Sequence, residues 1–529
     1  MQLSLKNNLG FSWYQNERVF IKGYFFDNQN NFFEKENAVK LVSYIKSKHQ
    51  FLEFINTING CFTIIIRSNT SCFIACDTTR MFPVFYTYLK DELCISDDIS
   101  FLKKEHHIQS FNPIAEAELK SALHTYGKKT LLQNVYQIQA NEYLIIEEET
   151  ITKQDFFFTY ATSSTSNTNY NDLKKQTFTA FEAAFKRLIL SLNNQTVALP
   201  LSGGFDSRLI AVMLKKYNYT NVVCYTYGKK DSFEIENSRK TAKALGFAWY
   251  FIEYSEKLFG DFSQSTSFIN YAHYAGKYSA MPNPQEYFAV QYLTDQKLIP
   301  NNTIFIPGYA GDLLGGSQYL KVIPKKLKKE AIVDLITSQK LTSFKLKKVI
   351  KKTLKQELQT LVDSNIYANK LPASIFEDID IKEKIAKYIF NSANFYTFFG
   401  YTYRFPFWDK ELLSFFKNVP EEYKMGKLLF DDVLTNNYFT PFNVSFENEI
   451  QPSIKTVIIQ NIKNKIRPFL PTFIKQKLLD KNSWINYKPI CIQLENHIKT
   501  NKLTIKKQLK SYNEIIVQWY VFLAKEKLK

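Results

Sequence analysis

Residues 198–207 read Ala-Leu-Pro-Leu-Ser-Gly-Gly-Phe-Asp-Ser, and no other stretch limits the fold of this chain as much. An apolar run stops at Ser202, Gly203 and Gly204; Asp206 and Ser207 follow, and then apolar residues recur at helical spacing. A buried parallel strand that turns at once into a helix brings free N–H groups and a positive dipole end to the carboxyl edge of a sheet. Ligands of open α/β folds bind at that edge. Gly203 and Gly204 lack a Cβ, so they can take positive φ and let backbone amides close on phosphate oxygens. Asp206 cannot meet phosphate directly and makes sense as a ligand of phosphate-bound Mg²⁺. The stretch therefore predicts nucleoside triphosphate binding. It is not a Walker loop, because no Lys follows the glycines. Nor is Ser202 on a hydrolase nucleophile elbow, because Pro200 stands where that turn needs Gly.

The surrounding pattern alternates: helix 172–193, strand 196–201, helix 207–217, strand 220–226, helix 233–245 and strand 248–253. Such alternation indicates parallel strands with crossover helices. Beyond about residue 320 the pattern is mainly helical. The first part of the chain reads differently. Segments 18–23, 60–66, 71–76 and 142–147 alternate as strands of a largely antiparallel domain. Residues 161–171, ATSSTSNTNYN, are small and polar without a period, as a linker is. The expected organisation is thus a domain over 1–160, a linker over 161–171 and a second domain over 172–529. A chain of 529 residues is too long for one core, and it contains no internal repeat.

Six cysteines with no C-x-x-C pair make neither a disulfide framework nor a zinc site. The start, MQLSLKNNLGFSWYQ, lacks the pattern of a signal peptide, and no apolar run is long enough to span a bilayer. A soluble, reduced, cytoplasmic protein is expected. Much of the net charge of +18 lies in 321–357 and in the C-terminal tail. Lysines there interleave with Ile, Leu and Val at helical spacing, which describes a solvated helix face. No nucleic-acid recognition motif accompanies the charge; attraction to an anionic membrane surface is compatible with it.

Ser202-Gly-Gly-Phe-Asp-Ser207 resembles the pyrophosphate loop of the ATP-pyrophosphatase superfamily. Most of the chain resembles the asparagine synthetase family, including its β-lactam synthetase branch. The motifs come in the family's order: Asn59-Gly-Cys-Phe62 with Ala75-Cys-Asp77, Arg80, Pro83 and Tyr86; Tyr225-Thr-Tyr-Gly228 with Glu236 and Ala242-Lys-Ala-Leu-Gly246; Pro307-Gly-Tyr-Ala-Gly-Asp312 with Gly315 and Gly316; and Arg404-Phe-Pro-Phe-Trp-Asp409 before Gly426-Lys427. The resemblance implies an α+β N-terminal domain, an Ntn-hydrolase-like antiparallel sandwich of glutamine amidotransferase type. It also implies an α/β C-terminal domain with the parallel sheet of ATP pyrophosphatases and a helical C-terminal part. ATP would be held by Leu201, Ser202, Gly203, Gly204, Asp206, Ser207, backbone near Tyr227, Pro307 and Gly308. Mg²⁺ would be held by Asp206 and Asp312, and the catalytic candidates are Tyr309, Arg404 and Lys427. Arg404 reads equally as a buried arginine paired with Asp409.

The departures from the family narrow the function. Gln2 stands where glutamine-hydrolysing members carry the N-terminal cysteine nucleophile, and Lys22-Gly-Tyr24 replaces the strand with the oxyanion asparagine. Cys61 lies in an apolar strand, where a thiol behaves as a small hydrophobe. The N-terminal domain then reads as a scaffold without glutaminase activity. Tyr309 takes the place of the asparagine synthetases' glutamate. The β-lactam synthetases share that tyrosine and pair it with a glutamate from a later helix. Here that helix is expected over 381–401, and its C-terminal part has Asn391 and Asn394 but no carboxylate. Aspartate is then a poor substrate; a neutral or anionic carboxylic acid, such as a sugar uronate, fits better. The expected function is an ATP-dependent amide ligase that makes an acyl-adenylate and passes ammonia or an amine to it, in secondary-metabolite or surface-polysaccharide biosynthesis. A homodimer is compatible with this reading. Alternatives are asparagine synthetase fed by outside ammonia, intramolecular amide closure, or a non-catalytic nucleotide-binding protein. Tyr309 would relay a proton with its pKa lowered by Arg404 or Lys427, or else stack on the ligand.

Overall fold

The computed structural model describes residues 1–89, 92–230, 232–318, 327–344, 346–446, 483–501 and 511–527. Its first part holds two sheets. Strands β1 (Gln2–Ser4), β2 (Tyr14–Gln15), β3 (Val19–Phe26), β4 (Phe32–Glu34), β5 (Asn59–Arg67), β6 (Ser71–Cys76), β7 (Phe85–Leu89), β8 (Glu92–Ser96), β9 (Tyr136–Gln137), β10 (Glu142–Glu147) and β11 (Thr150–Phe156) divide between them. One sheet runs β11-β10-β6-β5-β3-β2 with β4 against β3, all antiparallel. The other runs β1-β8-β7-β9. Its β1–β8 pair is parallel, the exception in a largely antiparallel part of the chain.

The run of isoleucines in β5 follows from burial on both faces, since successive strand side chains point to opposite sides. Ile64 and Ile66 pack with Val39, Val42, Phe51 and Ile55 of the helices Lys35–Val42 and Lys48–Thr57. Ile65, with Ile74 and Leu144, meets Val84, Leu93 and Ile95 of the second sheet. Ser47 and Gln50 close the start of the second helix as a reciprocal capping box. All six cysteines are buried free thiols.

The later part is built on β12 (Val197–Pro200), β13 (Val222–Gly228), β14 (Ala248–Glu253), β15 (Ile304–Phe305) and β16 (Thr402–Tyr403), ordered β14-β13-β12-β15-β16 and parallel throughout. The helix Tyr170–Leu190 precedes β12, and the crossover helices Phe205–Lys216 and Phe233–Leu245 follow β12 and β13, all close to the expected positions. Residues 207–214 of the middle helix are all buried, which is why it reads as apolar on every face. Strands of two residues, such as β15 and β16, leave too little pattern to be read from sequence.

The single helix expected over 381–401 is instead a π-helical stretch Ile381–Ile389, a 3-10 turn Phe390–Ala393 and a short α-helix Asn394–Phe398. Within the basic stretch, 321–326 and 345 lie outside the described residues. The helix Lys348–Val362 buries Leu354, Leu358 and Val362 and exposes Lys348, Lys351 and Lys352, a solvated face as expected. Among the described residues no helix is long and apolar enough to cross a membrane.

Candidate active site

The site lies at the carboxyl edge of β12, β13 and β15. The Leu201 N–H donates to the Tyr225 carbonyl at 2.8 Å, carrying the ladder one residue past β12. The helix then starts at Phe205, two residues earlier than expected, so Asp206 sits in its first turn. Ser202 and Ser207 close the turn: the Ser202 N–H donates to Ser207 Oγ at 3.0 Å and the Gly204 N–H to Ser202 Oγ at 3.1 Å. Gly203 donates its N–H to the carboxylate of Glu234. Its carbonyl accepts from Arg208 at 2.5 Å, and that guanidinium lies 5.3 Å from the Phe205 ring and 4.9 Å from that of Phe439.

Neither glycine takes the positive φ anticipated from sequence; Gly204 has φ −76°. Close approach is the reason for Gly203 instead. A Cβ there would lie 2.9 Å from Glu234 Oε2. Glu236, the acidic residue singled out from sequence, pairs with Arg239 and Lys240 on the same helix.

The second glycine loop wraps around Asp206. A Cβ on Gly308 would lie 2.9 Å from the Ser207 nitrogen, and one on Gly311 would lie 2.8 Å from Asp206 Cγ. The Asp312 N–H donates to Asp206 Oδ2 at 2.9 Å, and the Asp312 charge acts on the Asp206 carboxyl. Asp206 Oδ1 is buried and has no partner. Burial and the Asp312 charge push Asp206 up to about 8, against the pull of Lys427. A buried, unpartnered carboxylate oxygen beside a second carboxylate fits a divalent cation. Two protein ligands suit Mg²⁺, which keeps waters and takes phosphate oxygens for the rest of its shell. Among the described residues no set of three or more His, Cys, Asp or Glu could hold a metal. Replacing Gly311 with Ala forces the Asp206 carboxylate to move. Nucleotide turnover is expected to fall by about 10-fold or more with a loss of 1–3 kcal/mol in stability at most, measured as pyrophosphate release beside a thermal melt.

Lys427, in the left-handed region at φ 60°, pairs with Asp431 at 3.0 Å and lies 5.2 Å from the Phe205 ring, at the mouth of this loop. Arg404 lies elsewhere. It bonds Ser191 Oγ at 3.2 Å, the Tyr403 carbonyl at 3.0 Å and Glu34 at 3.3 Å, and it stacks 4.1 Å from the Tyr24 ring. It thus fastens the parallel sheet to β3 and β4. Its anticipated pairing with Asp409 is not made: Asp409 is held by Arg187 at 2.6 and 2.8 Å and by Asn59 at 2.9 Å.

Tyr309 is partly exposed, with Phe390 and Phe405 around its ring, and its carbonyl accepts from Trp408 at 3.2 Å. The carboxylate missing from the C-terminal part of 381–401 comes from elsewhere. Glu286, 3% exposed just before the helix Tyr287–Asp295, accepts from Tyr396 at 2.7 Å, from Tyr227 at 3.3 Å and from Tyr225. Tyr396 lies close enough to Tyr309 to act on its phenol, alongside Glu286. Burial lifts Glu286 to about 7, opposed by the three phenols that donate to it. Burial and Glu286 raise Tyr309 well above the ordinary tyrosine value, the reverse of the lowering anticipated from Arg404 and Lys427.

At the far end of the edge, Trp484 packs 5.3 Å from the Tyr227 ring and its carbonyl accepts the Lys229 N–H at 2.8 Å. Gly228, at φ 135°, leaves room for that carbonyl, 2.5 Å from where a Cβ would stand. Glu234, Arg208, Glu286, Tyr396 and Trp484 were not legible as site residues. Arg208 and Glu234 lie on helices that the motifs open, and Tyr396 within 381–401, but only tertiary packing brings them and Glu286 and Trp484 to the site.

Strand, glycine loop, helix start and paired aspartates at a parallel sheet edge define a nucleotide-using α/β domain. Residues 180–270, which include the glycine loop at 201–207, match the asparagine synthase family. No curated protein matches the chain. Among solved structures it is similar to an NH3-dependent NAD synthetase from Campylobacter jejuni, at 18% identity over 40% of this chain and 96% of that one, with a TM-score of 0.20. An NMN synthetase from Francisella tularensis matches at 14% identity over 40% and 92%, also with a TM-score of 0.20. A glutamine phosphoribosylpyrophosphate amidotransferase from B. subtilis matches at 13% identity over 58% and 59%, with a TM-score of 0.18. These likenesses are too loose to carry an argument about function.

Proposed function

We propose that this protein is a cytoplasmic ligase that activates a small-molecule carboxylic acid with ATP, as an acyl-adenylate, and joins it to ammonia or an amine. The observation that carries the reading is the Asp206–Asp312 pair closed around the helix start, with a buried carboxylate oxygen left unpartnered. Mg²⁺ held by these two residues would neutralise charge on the leaving pyrophosphate. The first-turn N–H groups of the helix Phe205–Lys216 have no intrahelical partners and suit the pyrophosphate oxygens. Lys427 adds a cation at the mouth. The acyl group would face Tyr309, and the proton released by the attacking nitrogen would pass through the Tyr309 and Tyr396 hydroxyls to Glu286. Intramolecular amide closure is a second reading, favoured by this tyrosine–glutamate connection.

The test is pyrophosphate release across a panel of carboxylic acids with ammonium present; one acid should raise it well above background, and ADP with phosphate as products would contradict the reading. The N-terminal part is proposed to be an Ntn-hydrolase-like sandwich retained as scaffold. Lys22 is buried against Asp97 at 3.2 Å, and the Cys61 thiol is pushed well above its ordinary value, chiefly by burial. No glutamate should form from glutamine, with or without ATP. Glutamate at ordinary enzymatic rates from the purified protein would refute this.

A further inference from the structure

A second polar cavity lies away from the sheet edge, between the N-terminal strands and the helices Thr266–Gly276 and Asn394–Phe398. Its volume is about 20 Å³, and Lys22, Asp97, Lys277, Asn394 and Tyr403 are among the residues that line it. The same measure for one water is roughly 10–15 Å³, so the space suits a single small species.

The charges around it do not balance. Asp97 is fully engaged: Oδ1 accepts from the Lys6 N–H at 2.8 Å, and Oδ2 accepts from Trp13 Nε1 at 2.8 Å and from Lys22 at 3.2 Å. Asp98, the next carboxylate, pairs with Lys6 at 3.1 Å and caps the following helix at Ser100. Among the described residues Lys277 makes no ion pair, and its side chain has one hydrogen bond, 3.3 Å to Asn394 Oδ1. An ammonium has three donors. Burial, with Lys22 and Arg80 nearby and Asp97 and Asp98 opposing them, brings Lys277 down to about 7. An independent observation falls on the same cavity. Tyr403 is fully buried, and its hydroxyl has no partner. A buried hydroxyl left without a partner is costly.

We propose that this cavity is a binding site for a small monovalent anion of the halide or nitrate class, held by Lys277, Lys22 and the Tyr403 hydroxyl. A water would satisfy Tyr403 but would leave Lys277, which among the described residues has only Asn394 Oδ1 and the Tyr274 ring beside it, without an anionic partner of its own. An anion satisfies both, and it ties the N-terminal sheet to the helical part of the chain. The site makes no use of the nucleotide edge, so it stands or falls apart from the proposed ligase activity.

Thermal unfolding of the full chain in sodium chloride, bromide or nitrate, against gluconate at equal ionic strength, tests this. At about 100 mM the halides and nitrate should raise the midpoint by about 2 °C. Lys277→Met should abolish the increment. Tyr403→Phe, which only removes a hydroxyl, should reduce it. In the unaltered protein the ³⁵Cl resonance should broaden saturably and sharpen again on adding bromide, which does not depend on any variant folding. No anion-specific increment, the same increment in Lys277→Met, or no saturable broadening would overturn the proposal in favour of a water-filled cavity.

Discussion

Asp206→Asn and Asp312→Asn should each lower pyrophosphate release by about 10²-fold or more, the scale of losing one charge contact to a transition state. Neither should unfold the protein. Asn at 206 keeps an acceptor for the Asp312 N–H, 2.9 Å away. It also removes a carboxyl that burial and the Asp312 charge hold up at about 8. The variants should therefore melt no lower than the parent at pH 8, while Mg²⁺ should stabilise the parent and not the variants. Near-normal turnover in either variant would remove that aspartate from the mechanism. Turnover independent of Mg²⁺ would remove both.

Glu286→Gln should separate the two halves of the reaction. ATP–pyrophosphate exchange, which reports adenylation, should persist, and amide product should fall by about 10²–10³-fold, the usual loss for a general base. Tyr396→Phe should show the same split through the broken hydroxyl link, as should Tyr309→Phe. In the parent, amide formation should rise with pH through about 7, because Glu286 accepts a proton only when ionised. Stability runs the other way. The folded-state value is raised above the ordinary glutamate value of 4.5, so the unfolded chain ionises first and Glu286 costs stability increasingly between about 4.5 and 7. Glu286→Gln should flatten that part of the stability curve. Equal loss of exchange and product would place Glu286 in acid or nucleotide binding instead.

The loop at 201–207 and the aspartate at 312 were legible because their chemistry is local. A strand, two glycines and a carboxylate at a helix start declare themselves within ten residues, and the second glycine loop repeats the pattern. The crossover helices were legible for the same reason, being long and periodic. What escaped is what long-range packing decides. Glu286 is bonded by Tyr396, 110 residues further along the chain, and both act on Tyr309. Arg404 sits in a motif beside Asp409, yet the carboxylate it pairs with is Glu34 and the arginine on Asp409 is Arg187. Sequence proximity suggested the one pair; the approach of β3 and β4 made the other. Gly203 does not take the positive φ expected of it; a Cβ there would instead crowd the Glu234 carboxylate that accepts its N–H.

The central claim is that a carboxylate attacks the α-phosphorus of ATP, and isotope transfer tests it most directly. An acid that supports pyrophosphate release, labelled with ¹⁸O in its carboxyl group, should pass one labelled oxygen to AMP when the amide forms. Label in inorganic phosphate with ADP as the other product would mean attack at the γ-phosphorus, and would contradict the account.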